Sequence, residues 1–139
     1  MENLQLILPE IFISLSIMFL LILGVFKKDS SVLILNSSLI ILFITAVIVF
    51  NETIDIEKIF LFKGSVVIDH LSSLMKIITL LAAFIVLAIS TSYLKVFKIL
   101  KIEYPILILS SVLGMMVMIS SNDLMVFYMG LELQSLALY

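Results

Sequence analysis

The run 124–139 is almost wholly apolar and holds one carboxylate, Glu132. A helix starting at Leu124 carries that residue about 12 Å along its axis, at a rise of about 1.5 Å per residue, into a hydrocarbon core about 30 Å thick. An acidic side chain at that depth costs about 3 kcal/mol on insertion scales, and acids tolerated there face a bundle interior or a water path. Spacings of four, three and four put Tyr128, Glu132, Ser135 and Tyr139 on one face of the helix. Hydroxyls beside a carboxyl hydrogen-bond both its protonated and its ionised form, which suits a group that gains and loses protons. The residues predict an inward-facing polar seam, with Glu132 as the proton-transferring group and Tyr128, Ser135 and Tyr139 in support. The plain alternative is a protonated Glu132 that only hydrogen-bonds a neighbouring helix, a role worth about 0.6 kcal/mol per side chain in membranes.

A second polar group, Asp69, His70, Ser72 and Lys76, opens the apolar run that follows it. Asp69 and Lys76 are further candidates for chemistry, but the expected role is an interfacial anchor, with Lys76 reaching back to the headgroups. His70 is the only histidine and there is no cysteine, so neither a thiolate metal site nor an iron–sulfur cluster is encoded here. No Gly-rich nucleotide motif or flavin signature occurs.

The elements that carry these residues belong to a membrane protein. The chain has 139 residues, 63% of them hydrophobic and 13% charged, where globular chains carry about a quarter charged. An all-α polytopic transmembrane bundle of one membrane domain, 1–139, is predicted, with spans at 7–26, 32–50, 71–93, 105–120 and 124–139. The last is incomplete against the roughly twenty residues of a full crossing. Pro9 suits a first helical turn, and Glu10 beside it is expected at the interface. Asn36, Ser37, Ser38 and Thr45 read as packing residues, as do Met115, Met116 and Met118. Ser110 and Gly114 make a small-xxx-small pair that admits a neighbouring helix. Within 51–69, apolar and β-branched residues around Gly64 predict a short β-hairpin on the membrane surface. Residues 120–123 form a tight turn able to cap the fifth helix.

Orientation follows from the lysines. Lys27, Lys28, Lys95, Lys98 and Lys101 fall in the first and third connectors, while Lys58 and Lys63 stand among acids in the second. The positive-inside rule places the first and third connectors in the cytoplasm and the amino terminus and hairpin outside. A net charge of −2 and scattered lysines give no sign of nucleic-acid binding.

The run Leu113-Gly114-Met115-Met116-Val117-Met118-Ile119-Ser120-Ser121-Asn122-Asp123-Leu124, then Tyr128-Met129-Gly130-Leu131-Glu132-Leu133-Gln134-Ser135-Leu136-Ala137-Leu138-Tyr139, closely resembles the N subunit of NADH-quinone oxidoreductase. Leu8-Pro9-Glu10-Ile11 fits the same family, one of the antiporter-like subunits of respiratory complex I. The resemblance implies a proton-translocating subunit that couples electron transfer from NADH to quinone to proton pumping. It implies that the acid matching Glu132 lies on the proton path and works with a lysine on a later, broken helix. This sequence stops before that lysine, so the resemblance reads it as an amino-terminal fragment or one piece of a split subunit. NADH, FMN, iron–sulfur clusters and quinone would belong to the parent complex and none to this chain. The implied partners are the other membrane subunits of complex I, the lipid bilayer and the missing carboxy-terminal helices. Three spans ahead of the Leu-Gly-Met-Met helix look like the bacterial form, which implies a plasma membrane rather than the mitochondrial inner membrane. Two alternatives stand beside this reading: a subunit of a multi-subunit cation/proton antiporter, and a passive assembly element.

Overall fold

The computed structural model describes residues 7–27, 31–53, 59–61, 66–96 and 103–139. Along the chain come α1 (Leu8–Phe26), α2 (Ser31–Thr53), β1 (Ile59–Leu61), β2 (Val66–Ile68), α3 (His70–Val96), α4 (Glu103–Ser120) and α5 (Leu124–Leu138). Three stretches, Leu8–Phe26, Val32–Asn51 and His70–Tyr93, are long and apolar enough to cross a bilayer, and Tyr104–Ser120 and Leu124–Leu138 are shorter apolar helices. The chain is a helical membrane bundle. Lys28, Lys58, Lys63, Lys98 and Lys101, on which the orientation rests, lie outside the described residues.

Helix starts are set by local chemistry. Pro9 sits in the first turn of α1, where its missing N–H has no intrahelical partner to lose. At α3, Asp69 and Ser72 satisfy each other: the Ser72 N–H donates to Asp69 Oδ1 at 2.8 Å, and the Asp69 N–H donates to Ser72 Oγ at 3.0 Å. This is the reciprocal arrangement of a capping box. Asp123 has extended backbone ahead of α5, its side chain accepts from the Met125 N–H at 3.3 Å, and its carbonyl accepts from Phe127 N–H at 3.0 Å. The acid that ends the predicted turn therefore caps the helix that bears Glu132.

Helices α1 to α4 close a four-helix bundle. α1 packs on α2 and α4, α3 packs on the same two, and α1 and α3 face each other across the diagonal. Core positions recur every seven residues, Ile13 and Leu20 on α1, Leu42 and Val49 on α2, Leu80 and Leu87 on α3. That spacing keeps one stripe of each helix turned to its neighbours. On the outer face of α1, Leu15, Phe19 and Ile22 are exposed, as lipid-facing positions require. Ser38 and Thr45 are fully buried, and their hydroxyls donate to the Leu35 and Ile41 carbonyls at 2.6 and 2.7 Å. A hydroxyl is thus satisfied within its own helix and needs no partner across the bundle.

The strands pair antiparallel in the register Ile59 with Ile68, Phe60 with Val67 and Leu61 with Val66. β2 touches the start of α3 and the end of α4, which fixes one end of the bundle as the hairpin end. α5 stands apart from the four-helix core and packs chiefly against α4.

Candidate functional site

The direction in which Glu132 points is decided two residues earlier. Gly130 is buried against α4, where a Cβ on it would lie 2.8 Å from Met118 Cγ and 3.0 Å from the Met118 backbone nitrogen. On the other helix, a Cβ on Gly114 would lie 2.8 Å from the backbone nitrogen of Gln134. The two helices cross backbone to backbone, so residues 130 and 134 define the contact face of α5. At about 100° per residue, positions two before and two after Gly130 fall on the far side. Tyr128 and Glu132 occupy those positions, and Tyr139, nine residues on, returns to the same side.

The seam of Tyr128, Glu132, Ser135 and Tyr139 therefore faces away from the four-helix core. Tyr128, Glu132 and Tyr139 are exposed and Ser135 is half-buried. The expected inward orientation is corrected on this point: within the chain the seam is an outer face, because the glycine contact takes the inner one. Its members are nonetheless in mutual reach. Tyr128 precedes Glu132 by one helical turn, which sets their side chains next to each other on this face, and the Tyr139 N–H donates to the Ser135 carbonyl at 3.1 Å. Large apolar side chains, Met129, Leu131 and Leu136 among them, are exposed on the same helix. The face thus joins a titratable acid and a phenol donor to an apolar surround.

The second group divides. Asp69 is engaged in capping α3, and His70 is exposed. Lys76 and Glu10 do not stand as separate charges on the outside of the bundle but meet each other. Lys76 Nζ forms an ion pair with Glu10 Oε1 inside the bundle, the two side chains being only 4% and 14% exposed. The cause is register. Lys76 precedes Leu80 by one turn, and Glu10 precedes Ile13 by three residues, so each charge extends the core stripe of its helix. That periodicity is present in the sequence and would have identified the pair. Gly130 is the other residue the sequence reading missed, and its signal was equally plain: a glycine in mid-helix calls for a close backbone approach.

No family model matches the chain. Over all 139 residues it is 66% identical to "NADH-quinone oxidoreductase subunit N" of Pelagibacter ubique, of which it spans 29%. It is 44% identical over 133 residues, 96% of the chain, to the protein of the same name from Paramagnetospirillum magneticum, spanning 27% of it. With the Bartonella bacilliformis protein the identity is 43% over 138 residues, 99% of the chain and 28% of that relative. The chain thus spans under a third of the length of these curated relatives.

Proposed function

Along its whole length the chain is homologous to the amino-terminal part of NADH-quinone oxidoreductase subunit N, and from that kinship we propose that it serves in the proton-translocating membrane arm of such an oxidoreductase. The observation that carries the reading is Glu132, the one charged residue on an apolar helix, with Tyr128 one turn before it on the same face. A carboxyl surrounded by hydrocarbon favours its protonated form, and a cation brought close favours the ionised one. Moving or neutralising a cation beside Glu132 therefore loads or releases a proton. The outward face of the seam is the side from which such a cation would come, carried by a helix outside this chain.

Electron transfer from NADH to quinone, with its FMN and iron–sulfur centres, belongs in this proposal to partner subunits. The cell membrane of a bacterium is the proposed location, with the amino terminus outside, in keeping with the bacterial sources of the relatives. The shared name of those relatives favours this reading over a cation/proton antiporter subunit. The test is the ratio of protons moved to electrons passed in the assembled oxidoreductase carrying Glu132→Gln, reconstituted in sealed vesicles. A reduced ratio is expected, and an unchanged ratio would leave a passive assembly role.

A further inference from the structure

The buried ion pair between Glu10 and Lys76 has no part in the function proposed for Glu132. It joins α1 to α3 across the diagonal of the four-helix bundle, so it lies between helices rather than on their lipid face. A charge in that position is costly, and charges retained inside membrane bundles mark ion or proton pathways more often than packing. A purely structural clasp would satisfy both carboxylate oxygens. Here Glu10 Oε1 meets Lys76, but Oε2 is buried and accepts no hydrogen bond from a described residue. A buried acceptor left so costs about 1–3 kcal/mol, more when charged. Ser120 Oγ, at the last residue of α4 and the same end of the bundle, is buried and without a partner in the same way.

Space open to water lies close to this place. A cleft of about 330 Å³ opens at the hairpin end, lined by Asp69, Ser72, Met75, Ile119 and Ser121 among others. Ser72 lies one helical turn before Lys76 on the same face of α3, and Ile119 and Ser121 flank Ser120. The floor of the cleft is therefore one turn from the pair.

We propose that Glu10 and Lys76 form a second proton-exchanging site, between α1 and α3 near the hairpin end of the four-helix bundle and fed with water from the cleft at that end. A proton from water adds to Glu10 Oε2, turning a net-neutral ammonium–carboxylate pair into an ammonium beside a neutral carboxyl, and leaves from the same oxygen to water on the return. Among the described residues, the other ionisable groups at this end are Asp69 and His70 at the start of α3, Asp123 ahead of α5 and Glu52 near the end of α2, the side chain of Glu52 lying outside the described part. α4 brings the Ser120 hydroxyl and no charged group within its last four turns. The proposal is independent of the role given to Glu132.

Infrared difference spectra of the assembled oxidoreductase, recorded between pH steps, read carboxyl protonation directly. A protonated-carboxyl band is expected in the wild type that is lost in Glu10→Gln, shifted in Glu10→Asp and kept in Glu132→Gln. Lys76→Met removes the opposing charge and should move the appearance of that band to higher pH. If Glu10→Gln does not assemble, the shift in Glu10→Asp carries the assignment. A set of carboxyl bands unaltered by either Glu10 variant overturns the proposal and makes the pair a permanent clasp. Loss of a band in Glu132→Gln alone would leave the reading of Glu132 standing and sink this one, and the converse result would do the reverse.

Discussion

Gly130 of α5 stands against Gly114 of α4 so closely that a Cβ added to either would lie 2.9 Å from the carbonyl oxygen of the other. This symmetry sets the helix crossing, and the crossing sets the face on which Glu132 appears. In lipid, where apolar surface gains little from association, close backbone packing is the principal attraction between helices. A pair of glycines, one of them two residues from the acid, thus links helix packing to the placement of Glu132.

Gly114→Ala is expected to weaken the α4–α5 contact by about 1–3 kcal/mol, the usual cost of overpacking, because the new methyl meets the Gln134 backbone, which has nowhere to rotate. Gly130→Ala should cost about as much, since its methyl meets Met118 Cγ at 2.8 Å and two backbone atoms, the Gly114 carbonyl oxygen at 2.9 Å and the Met118 nitrogen at 3.0 Å. Gly114→Leu should drive the helices apart and lower the yield of assembled complex before it alters the chemistry of what does assemble. Thermal unfolding of the purified complex and its yield measure both effects. Unchanged stability for Gly114→Ala would mean that the crossing is not held by this contact.

Asp69 offers a contrasting outcome. Its carboxylate accepts from the Ser72 N–H at 2.8 Å, so Asp69→Ala should destabilise the start of α3 by about 1 kcal/mol, as cap removals do. Asp69→Asn, which still accepts that hydrogen bond, should restore most of the loss. Proton movement per electron should be the same in all three proteins. A lowered ratio in Asp69→Asn at full assembly would return the residue to the proton path.

Much of this arrangement is legible in the residues. The helical bundle follows from apolar runs, and the cap of α5 from Asp123 just ahead of Leu124. The hairpin follows from two β-branched segments around Gly64, although its turn lies outside the described residues. The orientation of Glu132 was not legible from its own polar seam. A seam tells which residues share a face, while the neighbour that takes the opposite face must be known before the first can be called inner or outer. Gly130 held that information. Lys76 was misjudged for a related reason: snorkelling is decided by depth alone only when no opposite charge shares the core stripe, and Glu10 does.

Topology supplies a prediction that rests on the loop lysines. With the first and third connectors in the cytoplasm, a single Cys at position 63 should react with an impermeant thiol reagent added outside intact cells, and one at 98 should not. These 139 residues hold no cysteine of their own. The inverse labelling pattern would turn the chain over and move the hairpin-end cleft to the cytoplasmic side.

Glu132 carries the decisive test. Gln keeps the size of a protonated Glu and its capacity to donate and accept, so Glu132→Gln should insert and assemble normally while the protons moved per electron fall. Glu132→Asp still ionises but draws the carboxyl back by about one methylene, enough to stretch a hydrogen bond whose useful range is about 2.5 to 3.2 Å. It should keep part of the pumping. Tyr128→Phe removes the hydroxyl one turn before the carboxyl on the same face and leaves the acid itself. Because the acid itself remains, pumping should be reduced rather than abolished. Electron transfer from NADH to artificial acceptors should be unchanged in every variant, because the redox centres are assigned to other subunits. Wild-type pumping by a fully assembled Glu132→Gln complex would leave the seam as a hydrogen-bonding surface for a neighbouring helix and remove Glu132 from the proton path.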